Sequence, residues 1–211
     1  LTVEGTRLGF TSATDNVGSG PIWIRGFRLS TATPRMTAHQ LVKLRRGGPR
    51  VVRDVGVLRY TWSASHTHWH LLGFQQYELR RASDFAVVVR DRKSGFCLAD
   101  HYGTASHRVR DFAGPRFLGN CGQGQPHLLS VEQGTSIGFT DRYPAHFHGQ
   151  NVDLARVPAG TYVLVHRANP SNRLRERTLA NNAASVRLRL TWRAGSASVR
   201  VLRVCEGAER C

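Results

Sequence analysis

Apolar and polar residues alternate along this chain far more often than they recur at helical spacing. The run Val186-Arg187-Leu188-Arg189-Leu190-Thr191-Trp192 alternates strictly, as a strand with one buried face must. Residues 199–204 begin the same way. Short β-branched or alternating runs at 22–29, 51–62, 85–89 and 161–167 read as further strands. Asp15 to Pro21 is a Gly-rich loop, and Pro158-Ala159-Gly160 is a turn feeding a strand. Residues 36–44 are the one candidate for a short helix. Residues 103–125, rich in Gly and Arg, read as a long loop, and loops of that length are usually functional or stapled. Many short strands with punctuating turns predict a mainly β protein, an antiparallel β-sandwich with long loops and little helix. No internal repeat, low-complexity tract or inner boundary breaks the pattern, so residues 1–211 are expected to form a single domain.

Composition changes this picture in three ways. The hydrophobic share of 40% and charged share of 21% are those of a globular chain and exclude a disordered one. No run of about 18 apolar residues occurs, so no membrane-spanning helix is expected. The start shows neither a basic n-region nor an apolar h-region, so a secretory leader is expected to have been removed or never to have existed. The net charge is +16, and of 30 basic residues only Lys43 and Lys93 are lysines. The scattered excess predicts non-specific polyanion binding at low salt. Four cysteines, Cys97, Cys121, Cys205 and Cys211, suit two disulfides in an oxidising, extracellular compartment.

The sharpest chemical signal is Trp62-Ser63-Ala64-Ser65-His66-Thr67-His68-Trp69-His70. Three histidines at i, i+2 and i+4 share one face of a strand, and imidazole ligates copper, zinc, iron or nickel. A straight strand would hold His66 and His70 roughly 13 Å apart, at about 3.3 Å per residue. Ring nitrogens must come within about 2 Å of one ion. The segment must therefore bend or bulge, or else a third ligand comes from elsewhere. His146-Phe147-His148 is a second, weaker pair. His39, His101, His107, His127 and His166 are isolated and expected to be structural.

At these residues the chain resembles the lysyl oxidase family. Trp62, His66, His68 and His70 are followed by Phe74-Gln75-Gln76-Tyr77-Glu78-Leu79, then by Lys93-Ser94-Gly95-Phe96-Cys97-Leu98-Ala99-Asp100. Gln133-Gly134, Asp141-Arg142-Tyr143, Gln150, Asp153, Pro158-Ala159-Gly160-Thr161-Tyr162, Asn169-Pro170 and Asn181-Asn182 complete the order. The resemblance implies a copper site at His66, His68 and His70, and a lysine tyrosylquinone cofactor formed from Lys93 and Tyr143. That gives Lys93 a reason, because the cross-link needs a primary amine that loses its proton and arginine does not supply one.

The implied activity is a copper-dependent amine oxidase. It would oxidatively deaminate primary amines, either peptidyl lysine or small amines, to aldehydes with release of hydrogen peroxide and ammonia, using molecular oxygen. The general base is left open among Asp141, His146, His148 and Asp153. Cys97 matches a paired cysteine of the family and Cys121 is its natural partner, which leaves Cys205 with Cys211. His146-Phe147-His148 stands where the family carries Asp-x-Asp, a loss of negative charge unfavourable to a cationic substrate. Two other readings compete: a copper- or zinc-binding β-sandwich without a formed quinone, and a basic polyanion-binding module whose histidines are incidental.

Overall fold

Strand alternation dominates the architecture because almost every strand has one face against a common core. The computed structural model describes all residues except 43, 45, 64, 65, 107, 108, 110–113 and 148, so His107 and His148 lie outside the described residues. The strands run in the order β1 (Thr2–Glu4), β2 (Arg7–Gly9), β3 (Ser12–Asp15), β4 (Ile22–Phe27), β5 (Arg35–Val42) and β6 (Arg50–Tyr60). They continue with β7 (Trp69–Leu72), β8 (Gln75–Arg81), β9 (Val87–Arg90), β10 (Gly95–Phe96), β11 (Tyr102–Gly103) and β12 (Ser130–Thr135). The last five are β13 (Phe139–Tyr143), β14 (Asn151–Asp153), β15 (Gly160–Ala168), β16 (Ala183–Arg193) and β17 (Ser196–Cys205). Among the described residues there is no helix.

A six-stranded sheet has the order β10-β7-β6-β5-β4-β12, and a five-stranded sheet the order β17-β16-β15-β8-β9. Their pairings are antiparallel throughout, as expected of a mainly β fold. Met36, Leu58 and Leu71 from the first sheet and Tyr77, Leu79, Leu164 and Leu188 from the second belong to one buried cluster. The inward faces of two sheets sharing one core is the arrangement of a sandwich. Two three-stranded sheets, β1-β2-β14 and β11-β13-β3, complete the fold.

The expected helix at 36–44 is a strand instead. Met36 and Ala38 are buried while Arg35 and Thr37 are exposed, a period of two. β5 also lies between β4 and β6 and is hydrogen-bonded to both. Pairing on both edges overrides the local helix preference of Met, Ala, Gln and Leu. The expected strand at 85–89 starts later, at Val87, because Phe85 takes a positive φ of 62° in the turn between β8 and β9.

Both disulfides are present, Cys97–Cys121 across 24 residues and Cys205–Cys211 across 6. The first staples the long stretch between β11 and β12. The second closes the C-terminal tail, which Glu209 also ties to Arg167 of β15.

Candidate metal and lysine–tyrosine site

The histidine segment does bend. Ser63 and His66 exchange backbone hydrogen bonds of 2.9 and 3.2 Å, a tight reversal, so His66 doubles back and only His70 lies in β7. The ring centroids of His66 and His70 are 5.4 Å apart, and His68 and His70 are 4.4 Å apart. One ligand nitrogen from each of the three lies within 4.8 Å of the others. Two nitrogens about 2 Å from one ion are at most about 4 Å apart, so a small inward movement completes a three-imidazole set.

Three groups of contacts hold that bend. The Thr67 carbonyl accepts from the Tyr60 hydroxyl and from the Gly124 amide, both at 2.6 Å. The Trp69 amide donates to Cys121 O at 2.9 Å, and its indole Nε1 to Gln125 O at 3.1 Å. His70 Nδ1 is 2.8 Å from Thr61 Oγ1. When Nδ1 carries the proton it donates to Thr61, which fixes the ring and leaves Nε2 as the ligand atom. Gly95 of β10 lies hard against this ring. A Cβ there would be 2.7 Å from His70 Cβ and 3.2 Å from Nδ1, so only glycine allows the approach.

Burial keeps His68 and His70 neutral, the form that binds metal. His70 is pushed down to about 3 by burial and then by the neighbouring charges of His68, His66, Lys93 and Arg59. His68 is pushed down to about 4 by burial, then His66 and Lys93.

Lys93 and Tyr143 meet beside them. Lys93 lies three residues beyond the end of β9, and its Nζ is 4.6 Å from the centre of the Tyr143 ring, with Phe96 also under it at 5.4 Å. Burial lowers the Lys93 ammonium to about 8, against the opposing pull of Asp141 and Asp91. Tyr143, on β13, is 6% exposed. Its hydroxyl donates to Cys97 O at 2.8 Å, and Phe96 packs edge-on at 5.3 Å. Burial raises the phenol well above its ordinary value, with Asp141 and Tyr77 adding to the effect. One disulfide thus connects the two halves: Cys97 O anchors the tyrosine and Cys121 O anchors the histidine segment.

The candidate bases separate by position. Asp141 lies two residues before Tyr143 on β13 and is fully buried. Its Oδ1 accepts from the Ala99 amide at 3.4 Å and is 3.4 Å from His101 Nδ1. Its Oδ2 has no hydrogen-bond partner, and burial raises this carboxyl. His146 is exposed with its ring edge on Phe147, and Asp153 is exposed and caps the Ala155 amide. His148 lies outside the described residues. Sequence reasoning missed Thr61, Gly95 and Asp91. A hydroxyl, a glycine and an acid carry no spacing signal until strand pairing brings them to the site.

These three imidazoles, and this amine lying on a phenol ring, occupy a stretch that a family model also covers. Residues 47–200 match the model described as lysyl oxidase, and the chain belongs to that family. It is 32% identical over 139 residues to the protein-lysine 6-oxidase of Rattus norvegicus, covering 63% of this chain and 29% of that protein. The protein-lysine 6-oxidase of Sus scrofa gives the same identity over 63% of this chain and 49% of its own length. Lysyl oxidase homolog 4 of Mus musculus is 27% identical over 128 residues, 58% of this chain and 14% of that protein. The chain thus aligns with less than half the length of these relatives.

Proposed function

We propose that residues 1–211 form a single lysyl-oxidase-like catalytic domain that oxidatively deaminates primary amines. The substrate is a small amine or a lysine-containing protein, the oxidant is molecular oxygen, and the products are an aldehyde, hydrogen peroxide and ammonia. His66, His68 and His70 hold copper, and Lys93 and Tyr143 join to form lysine tyrosylquinone. The observation that carries this reading is the Lys93 amine 4.6 Å from the Tyr143 ring, beside three gathered imidazoles. The donor set fits the metal, because three imidazole nitrogens leave coordination positions open, as catalysis requires. Bound, the copper supplies a one-electron redox centre and the quinone an electrophilic carbonyl, chemistry that no unmodified side chain provides.

The chain's own residues position groups and move protons. Thr61 holds the His70 ring, and the Cys97 carbonyl holds the Tyr143 hydroxyl. Burial gives Lys93 a substantial neutral fraction near pH 8, and only the neutral amine is a nucleophile. Asp141 is the base that accepts a proton from the substrate carbon. Burial raises its affinity for a proton and its Oδ2 has no hydrogen-bond partner, and both support that role. The two disulfides support secretion. No helix of the described residues is long and apolar enough to cross a membrane.

The deciding experiment is peptide mapping of copper-loaded, aerated protein. The expected result is one cross-linked peptide pair containing Lys93 and Tyr143. Copper retained with both peptides unlinked would make the chain a metal-binding β protein without the oxidase cofactor.

A further inference from the structure

A cluster of exposed arginines lies away from the site, on the outer face of β16 and β17. Arg187, Arg189 and Arg193 alternate with the buried Leu188 and Leu190 on β16 and are exposed. On β17, Arg200 and Arg203 are also exposed. They are three residues apart, so in a regular strand they would point to opposite faces. A register shift between Arg187 and Leu188 corrects this: Leu188 pairs with Val201, but Arg187 pairs with Arg203. The bulge absorbs Leu202 and turns Arg203 onto the face that Arg200 already occupies.

The result is two directly opposed arginine pairs, Arg187 with Arg203 and Arg189 with Arg200. Opposed residues are about 5 Å apart at Cα and successive outward positions roughly 6.8 Å. Like charges directly opposite one another destabilise a sheet. Arg189 donates to Thr161 Oγ1 at 3.1 Å, and among the described residues none of the four has a carboxylate partner. Further across this face, Glu78 is already shared by Arg80, Arg90 and Arg167, and Glu209 is held by Arg167. On this face, among the described residues, the arginines without a carboxylate partner therefore lie at β16–β17.

We propose that this face binds an extended acidic polysaccharide, through sulfate or carboxylate groups set along its chain. A guanidinium fork grips either group with two parallel hydrogen bonds, which suits a face built from arginine without lysine. Thr191, Ser196 and Ser198 border the arginines and offer hydroxyls to sugar oxygens. The outward positions of β16 and β17 carry no aromatic ring on which bases of a single strand would stack, since Trp192 is turned inward with its Nε1 on Val157 O. The outward positions between and beside these arginines carry Thr191, Ser196 and Ser198 rather than a large apolar side chain to anchor a protein partner. The two disulfides suit an oxidising compartment, in which acidic glycans are among the polyanions a basic face can meet.

The test is binding of the full chain to heparin, for sulfate, and to polygalacturonate, for carboxylate, at about 0.15 M salt. The tighter of the two names the anionic group. The variant Arg187→Ser with Arg203→Ser is compared with Arg50→Ser with Arg53→Ser, two exposed arginines of β6 that remove the same charge. The β16–β17 pair is expected to weaken binding at least tenfold and flatten its salt dependence, because fewer counterions are released. The β6 pair is expected to change it less than twofold. Arg203→Glu, which places an opposite charge across from Arg187, is expected to abolish binding while leaving the melting temperature unchanged or higher. Equal weakening by the β6 pair would reduce the effect to net charge and overturn the proposal. So would tighter binding of duplex DNA or polyglutamate with the same dependence on Arg187 and Arg203, or no binding of either glycan. Amine oxidation enters none of these readouts.

Discussion

Opening the Cys97–Cys121 bridge should cost both stability and metal affinity, whereas opening Cys205–Cys211 should cost stability alone. The chain-entropy relation assigns about 3.5 kcal/mol to a closed loop of 24 residues and about 2.2 kcal/mol to one of 6. On entropy the two bridges therefore differ by little more than 1 kcal/mol. Their contacts differ far more. Cys121 O accepts the Trp69 amide between His68 and His70, and Gly124, three residues on, donates to Thr67 O between His66 and His68. Releasing that loop frees the backbone that bends the histidines together. Loss of such supporting contacts typically lowers metal affinity about 10- to 100-fold. The C-terminal clasp touches none of these residues.

The assay is urea unfolding and competitive copper titration of Cys97→Ala with Cys121→Ala, and of Cys205→Ala with Cys211→Ala. Both variants should lose roughly 2–4 kcal/mol. Only the first should lose copper affinity, by at least tenfold. Undiminished copper binding in the first variant, or an equal loss in the second, would refute the view that the stapled loop shapes the site.

Lys93→Arg and Tyr143→Phe should each abolish amine oxidation while copper affinity stays within about twofold, since neither is a proposed ligand and guanidinium cannot supply a neutral amine; steady-state peroxide release and metal titration check this. Gly95→Ala should destabilise the fold by about 1–3 kcal/mol through overpacking against His70, and should lower copper affinity, both read on the purified variant. Metal-free protein should lose stability as pH falls from about 7 to 4.5. His166, stacked on Tyr77 with Nε2 buried and unpartnered, is held down to about 4 by burial. Its ordinary value near 6.5 returns on unfolding, so between those values the unfolded chain binds the extra proton and is favoured as pH falls. His166 alone accounts for up to about 2 kcal/mol of the loss at pH 4.5, and His166→Phe should remove that share in urea titrations at the two pH values, while His68 and His70, also held down by burial, contribute the remainder.

How much of this was legible in the chain varies by element. The strict alternation of residues 186–192 reappears in β16, where Leu188 and Leu190 are fully buried between the exposed Arg187, Arg189 and Thr191. The same alternation of Met36 and Ala38 passes for helix, because its residue types favour helix and its pairing partners are distant in sequence. β13, which carries Tyr143 and Asp141, has no clear pattern at all. Asp141 and Tyr143 are polar or amphipathic yet face the interior, where Thr14 and Ser12 of β3 pair with them. A buried functional strand breaks the period-two rule that marks ordinary strands.

The sequence by itself determined a β-rich chain, one cluster of three alternating histidines, one of only two lysines in an arginine-rich background, and the ordered motifs of the lysyl oxidase family. Those are properties of residue type and local spacing. Only the tertiary structure decided that the histidine segment reverses at Ser63, that Lys93 lies on the ring of a tyrosine 50 positions away, and that Asp141 is the acid beside it. It also decided that a bulge aims Arg203 at Arg187. Each of these depends on strand register and on contacts between distant segments, and register is set by which faces can be buried together.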